Sequence, residues 1–337
     1  MKPYDPYPSR PKIGLLTNPH SRRNRTRLPA VNAIVANQSN ILHRITEQPQ
    51  QISDALREFA AQGVQVLAIN GGDGTTAQVF TALLEGGAFA SLPAVVLLPG
   101  GTTNVNANDV GLNGGLERAV ARMARWARGH GGTPEHQVRP ILRITGATHG
   151  EPLCGMFFGA GSIIRGIEYC QHKFHARGIG NSIGPGLAMA RVLWGMLRND
   201  PHFAAPTSVR IAMDALSDGA SHELLLMMIT SLDHLILGMR PYWGGEPGPL
   251  HCTWIEKRAT GLLRLFPSVL RGKPAASATP EQGYFSHNTE LIRLWLDGAF
   301  TLDGDMHQAA IQNGPLTIST AGELEFLRPD ARVRHDN

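Results

Sequence analysis

Cysteine is scarce: Cys154, Cys170 and Cys252 are the only three in 337 residues, and no two of them form a CxxC pair. An odd, scattered set excludes a disulfide framework and predicts a reducing, cytoplasmic setting. Long apolar runs are missing as well. The longest aliphatic run, "LLLMMI" at 224–229, is far below the roughly 20 residues a membrane-spanning helix needs. The opening "MKPYDPYPSRPK" carries four prolines and no apolar core of the secretory kind, so residues 1–11 are expected to form a flexible tail. Charged residues make up only 17% of the chain, whereas glycine appears 38 times. That balance describes a turn-rich globular protein, not a disordered or fibrous one. Fourteen histidines raise the question of zinc, but neither HExxH nor a paired His/Cys spacing occurs, so no zinc site is expected.

What charge there is leans basic, with a formal net of +4 and a pI near 9.1. Arginine dominates, in "SRRNRTR" (21–27), "RMARWARGH" (122–130) and "HKFHARG" (172–178). Each cluster suits a nucleotide, a nucleic acid or an anionic lipid surface, and each is equally well a solvated face. Without a nucleic-acid-binding motif or an interleaved aromatic platform, no nucleic-acid partner is expected. His172, Lys173, His175 and Arg177 gather in one glycine-rich stretch and are candidates to meet phosphates or a lipid headgroup, or form a basic loop.

The length exceeds one comfortable hydrophobic core, so two domains are expected. Residues 12–135 alternate between the two secondary-structure periods. "KIGLLTN" (12–18) reads as a strand, 26–37 as a helix, and 42–48 as a strand. The helix expected over 51–61 places Ile52, Ala55, Leu56 and Phe59 on one face and ends at Gly63. A strand (64–70), a helix (75–87) and a strand (93–101) follow. Such alternation predicts an α/β domain with a parallel sheet, whose ligands bind beyond the carboxyl ends of the strands. From 136 to 328 period-two segments dominate, at 137–146, 207–216, 222–230, 289–298 and 300–304, and predict a β-rich antiparallel domain. Helices are expected near 184–197 and 259–272, a loop over 271–283, and a tail at 329–337.

Three polar turns close the parallel strands: "TNPHSRRN" (17–24), "NGGDGTT" (70–76) and "PGGTTNVNAND" (99–109). Gly71, Gly72 and Gly74 permit positive φ and close backbone approach, and Thr75 opens a helix whose N-terminus favours phosphate. The loop lacks the lysine and GKS/GKT ending of the Walker A loop. Asp73 sits inside this anion-binding frame. It fits either a divalent cation bridging it to phosphates or a proton-handling role, and otherwise a helix cap. Gly100, Gly101, Thr102 and Asn104 would lie beside the first glycine loop if their strands are neighbours.

On the residues "TNPHS", "NGGDGTT" and "LPGGTTNVNAND", the sequence resembles the diacylglycerol kinase catalytic domain family, which includes bacterial lipid kinases, sphingosine kinases and ceramide kinases. The resemblance is strong over 12–125 and continues weakly to 328. It implies ATP- and Mg2+-dependent transfer of the γ-phosphoryl group to a lipid hydroxyl, with an α/β N-terminal domain, a C-terminal β-sandwich and a last segment returning to the first domain. Carried onto this chain, Asn18, Ser21, Gly71, Gly72, Gly74, Thr75, Gly100, Gly101, Thr102 and Asn104 would bind nucleotide, and Asp73 would hold metal. The late acidic motif reads "LDGD" here, making Asp305 the general base that takes the hydroxyl proton; read without the family, Asp-Gly marks a tight hairpin. A lipid substrate and peripheral contact with the inner membrane surface follow from the resemblance, and a homodimer is left open. A kinase for a soluble hydroxyl compound such as NAD, or a non-catalytic relative, is the alternative. The second is motivated by missing acids at "FFGAGSIIRGIEY" (157–169) and "EPGPLHCTWIEK" (246–257), where the family carries aspartates tied in part to a structural magnesium.

Helix 261–273 sets Leu262, Leu263, Leu265, Phe266, Val269 and Leu270 beside Arg264, Arg271 and Lys273. It would border a lipid tunnel, rest on a membrane surface or pack on the sandwich, with Pro267 bending it.

Overall fold

A computed structural model describes residues 10–130, 132–168, 195, 200, 205–213, 218–273 and 277–329. The basic stretch at 170–178 and the helix expected at 184–197 lie outside the described residues. The chain divides into two units, Met1–Arg139 with Gly322–Asn337, and Pro140–Ala321.

In the first unit, β1 (Ile13–Thr17), β2 (Ile41–Ile45), β3 (Val66–Gly71) and β4 (Ala94–Pro99) alternate with α1 (Asn24–Val35), α2 (Pro49–Ala61) and α3 (Asp73–Glu85). The strands are parallel in the order β2-β1-β3-β4. β1, β3 and β4 are buried along their whole length, because helices cover both faces, which is why these strands read as continuous apolar runs. Two further helices, α4 (Val105–Val110) and α5 (Leu116–Ala127), follow β4. The sequence reading missed α5. Its Leu116, Ala119, Val120, Met123, Ala124 and Ala127 are all buried and follow the i, i+3, i+4, i+7 spacing of one helical face. They pack with Val31 and Val35 of α1 against Ile13, Leu15, Val66, Ala68, Val96 and Leu98. On the opposite face Gly14 lies flat under the Phe59 ring of α2, where an added Cβ would come within 2.5 Å of it.

The second unit is antiparallel. β5 (Glu135–Thr145), which begins in the first unit, leads into β6 (Leu153–Gly155), β7 (Phe157–Gly161), β8 (Thr207–Ala212), β9 (Ala220–Thr230) and β10 (Leu250–Glu256). The helix α6 (Leu262–Val269) follows, then β11 (Tyr284–Thr289), β12 (Ile292–Leu296), β13 (Gly298–Leu302), β14 (Asp305–Ala309) and β15 (Leu316–Arg328). The eleven-residue β9 serves two neighbourhoods: its first half pairs with β8 and its second half with β7 and β10. The strands so divided enclose one core around Phe158, Met227, Trp254, Leu294, Phe300 and Ile318, the β-sandwich the resemblance implies. The single strand expected at 289–298 is instead the end of β11 plus β12, because Thr289 Oγ1 donates to Leu291 O at 3.1 Å and forces a turn. α6 lays Leu265 and Val269 on Leu225, Leu226, Ile255 and Tyr284, so it packs on the sandwich. β15 runs on into the first unit, where Phe326 pairs with Val95 of β4 and meets Phe80 edge-on with ring centroids 6.0 Å apart. No helix among the described residues is long and apolar enough to cross a membrane.

Candidate functional site

Because β1, β3 and β4 are adjacent and parallel, their three polar turns emerge at one sheet edge and bond to one another. Asn18 Nδ2 donates to Thr75 Oγ1 at 2.8 Å, joining the first turn to the second. Arg23 joins the first to the third: its backbone N–H reaches Gly100 O at 2.9 Å, and its Nη1 donates to Pro99 O at 3.1 Å and Gly114 O at 2.9 Å. Asp73 joins the second to the third. Its Oδ2 accepts from Thr103 Oγ1 at 3.0 Å and Val105 N at 3.1 Å, and its Oδ1 accepts from Asn106 N at 3.0 Å.

Asp73 therefore caps a helix, though not its own. It stands in the first turn of α3 without a capping bond there, and its carboxylate satisfies the leading N–H groups of α4 on the neighbouring turn. The residue as a whole is partly exposed while its carboxylate is enclosed. Burial pushes its pKa above the usual aspartate value, against the pull of the donors from Asn106, Val105, Thr103 and Asn104.

The glycines act by close approach. Gly71, Gly72, Gly74, Gly100 and Gly101 all have ordinary φ, a departure from the expected positive φ. A Cβ on Gly101 would lie 2.5 Å from Gly72 Cα, and one on Gly100 would lie 2.6 Å from Asn70 Oδ1. The left-handed position falls to Asn104, at φ 50°. Its side-chain amide is engaged by its own loop, accepting from Gly101 N at 2.7 Å and donating to Gly101 O at 3.1 Å. Ser21, Gly72, Gly74 and Thr102 stay at least partly exposed on this edge.

Beneath the turns sits a buried asparagine layer that the sequence reading did not single out. Asn24 Nδ2 donates to Asn18 O at 2.7 Å and Asn70 O at 3.1 Å. Asn70 Oδ1 and both amide atoms of Asn106 are buried with no hydrogen-bond partner. Such orphans are rare in folded proteins and mark places where a water or a ligand group is wanted. With Asn106 Nδ2 as an unpartnered donor and the first-turn N–H groups of α3 lacking intrahelical acceptors, the edge fits a polyphosphate. It fits a metal on Asp73 poorly, since both oxygens are already accepting. Among the described residues no group of three His, Cys, Asp or Glu could hold a metal. At 246–257, Glu246 Oε1 lies 2.6 Å from His287 Nδ1 and its Oε2 accepts from Asn288 N at 3.2 Å, so this acid ties a loop to β11.

In the second unit "LDGD" forms the tight hairpin between β13 and β14. Asp303 and Gly304 take positive φ, 50° and 91°, and Leu302 pairs with Asp305, the backbone a two-residue Asp-Gly turn requires. Asp303, which the sequence reading passed over, is buried, and its carboxylate accepts from Met156 N and Phe157 N, both at 3.0 Å. Asp305 is half-buried at the start of β14. His307, two residues on, stacks on Phe300 with centroids 5.4 Å apart and faces His149 at 5.7 Å.

Comparison with known proteins agrees with this arrangement. Residues 12–129 match the diacylglycerol kinase catalytic domain family. The probable lipid kinase YegS-like protein of Enterobacter sp. (strain 638) is 33% identical over 110 residues, a stretch covering 33% of this chain and 36% of that protein. Two solved structures from Bacillus anthracis str. Sterne share the fold at 16% identity. One, provisionally described as a diacylglycerol kinase, gives a TM-score of 0.61 over 94% of this chain and 96% of its own. The other, described as a diacylglycerol kinase, gives 0.55 over 95% and 98%. The resemblance carried by the three polar turns thus stands: over residues 12–129 the chain matches the diacylglycerol kinase catalytic domain, within a fold shared along nearly its whole length.

Proposed function

We propose that this protein is an ATP-dependent lipid kinase of the diacylglycerol kinase type. The observation that carries the reading is the closed set of hydrogen bonds among the three turns, which leaves the first turn of α3 open at the end of a parallel sheet. Ligands of such sheets bind there, and the lipid-kinase description of the relatives points the same way.

The backbone N–H groups at Gly72, Asp73, Gly74 and Thr75 would hold the phosphates of ATP, with Ser21 and Thr102 at the rim. Asn106 Nδ2 offers a buried donor for a further contact. Bound ATP supplies a γ-phosphoryl group that needs positioning and charge neutralisation more than covalent help. Asp305 would take the proton of the acceptor hydroxyl at its carboxylate; it is one methylene shorter than glutamate, which changes reach and not chemistry. Asp73 holds the second and third turns together, and by doing so keeps the phosphate-facing edge in one shape.

The test is phosphoryl transfer by the purified full-length chain from labelled ATP to a panel of diacylglycerol, ceramide, sphingosine and NAD. Label in a lipid that disappears in Asp305→Ala supports the reading. Label in NAD alone transfers it to a soluble acceptor. Nucleotide binding without any transfer makes the chain a non-catalytic relative.

A further inference from the structure

The two helices on one face of the first unit hold the chain's positive charge. Residues 24–35 and 116–130 contain Arg25, Arg27, Arg118, Arg122, Arg125 and Arg128 against a single acid, Glu117. That is a net of +5 from 27 residues, in a chain whose total is +4. The rest of the molecule is close to neutral, so the charge is a property of this face.

α5 explains how it is displayed. Its apolar positions are turned into the core and its Trp126 is buried. The opposite side presents Arg118, Ala121, Arg125 and Arg128, all exposed. Residues 118, 121, 125 and 128 are spaced three, four and three apart, the stripe of a single helical face. Arg122 beside them donates to Pro329 O at 3.4 Å. Arg27 of α1 reaches across to Glu117 at 3.0 Å, tying the two helices at their first turns. Asn40 Nδ2 bonds both Pro11 O, at 2.9 Å, and Ala127 O, at 2.7 Å. This brings the exposed Arg10 to the far end of the stripe. Successive arginines between 118 and 128 rise about 4.5–6 Å along the axis. That is within the Debye length of about 8 Å at physiological salt, so the charges act together.

We propose that the outer face of α5, with Arg10 and Arg27 beside it, docks onto an anionic lipid surface. The match is one of charge: a row of three exposed arginines, Arg118, Arg125 and Arg128, with Ala121 as the one other exposed residue of the stripe, suits the smeared negative charge of lipid headgroups. A single-stranded nucleic acid is less well served, because the one ring on this helix is buried and cannot stack on a base. The docking deepens the lipid-kinase reading by bringing the chain to its acceptor, but its test reads binding and not catalysis.

The full-length protein is mixed with phosphatidylcholine vesicles made with and without phosphatidylglycerol, at low and high salt, and the bound fraction is read by co-sedimentation. Binding is expected only with phosphatidylglycerol and should fall as salt rises. Each arginine at an anionic surface strengthens partitioning about five-fold, so R118E/R125E/R128E is expected to weaken it at least about 100-fold. Circular dichroism and binding of an ATP analogue report whether the variant is folded. If it is not, R118Q/R125Q and the wild-type salt series carry the test. Equal binding to both vesicle types, or anionic binding untouched by the variants, overturns the proposal, as does tighter binding to polyuridylate than to anionic vesicles. Charge-dependent vesicle binding without phosphoryl transfer would leave the docking face standing while removing the kinase assignment. Phosphorylation of diacylglycerol in neutral micelles without charge-dependent vesicle binding would do the reverse.

Discussion

Asp73 Oδ1 accepts the backbone N–H of Asn106 at 3.0 Å, so a carboxylate at the start of one helix caps the next helix but one strand away. The acid that looked out of place among phosphate-binding glycines is held by donors from the neighbouring turn. Replacing it with alanine leaves the N–H groups of Val105 and Asn106 and the Thr103 hydroxyl without their acceptor. Unmade buried bonds cost about 1–3 kcal/mol each and a lost cap about 0.5–2 kcal/mol. Asp73→Ala is expected to lower stability by about 2–3 kcal/mol, read as a reduced urea midpoint. Asp73→Asn keeps one acceptor oxygen for Thr103 and Val105 but turns an NH2 towards the Asn106 N–H, so it should cost about 1–2 kcal/mol, less than the alanine variant. If that folded variant has lost phosphoryl transfer, Asp73 has a chemical role beyond the cap; if it has not, the cap is the whole of its contribution.

The approach of the two glycine turns gives a matched pair of variants. A methyl on Gly101 would come within 2.5 Å of Gly72 Cα, whereas a methyl on Gly72 would stay 3.4 Å from Gly101 Cα. Backbone faces backbone in both cases, and neither glycine has a left-handed φ, so the contrast is purely one of space. Gly101→Ala is expected to cost about 1–3 kcal/mol through overpacking and to impair nucleotide binding. Gly72→Ala should cost under about 1 kcal/mol. Calorimetric titration with an ATP analogue, beside urea midpoints, reads both. Equal losses in the two variants would mean that the turns do not meet in solution as they do here.

The first unit was legible because each of its strands and helices announces itself within a dozen residues. Ile52, Ala55, Leu56 and Phe59 mark α2 by spacing alone, and Gly63 ends it at φ 69°. α5 carries an equally regular stripe, but its arginines fall between the apolar positions and make the segment read as a charge cluster. The cap made by Asp73 was not legible, since its partners lie 30–33 residues on and meet it only because β3 and β4 pair in register. Asp303 teaches the same lesson across 146–147 residues: local sequence shows the turn, and only the fold shows what holds its acid. Motifs fix types of residue at one place, while long-range hydrogen bonds are set by topology.

The two acids of the β13–β14 hairpin should separate cleanly. Asp303 is buried, left-handed and bonded to two backbone N–H groups. Asp303→Ala therefore leaves two donors unpaired and is expected to destabilise by about 2–3 kcal/mol. Asp305 is half-buried at the strand's start, and Asp305→Ala should change stability by under about 1 kcal/mol. If Asp305 is the general base, the same change lowers transfer by about 100- to 10,000-fold. Thermal melts and initial rates on the two variants decide it. A fully active Asp305→Ala would remove the base from this position.

His307 sets a pH dependence whose sign can be worked out in advance. Burial lowers its pKa below the ordinary 6.5, Asp305 draws it back up, and His149 lowers it further. The ring stacks on Phe300 and faces His149. A histidine with a lowered folded pKa binds fewer protons when folded than when unfolded, at pH values near and below 6.5. Stability should therefore rise as pH rises through that range and level off above it. His307→Phe keeps a ring to stack on Phe300 and removes the titration, so its urea midpoint should differ less between about pH 5 and pH 7.5 than the wild type's. Some slope will remain, because His43 is lowered too, by burial and by Arg44. An undiminished slope in His307→Phe would mean that this imidazole takes up its proton as readily in the folded chain as in the unfolded one.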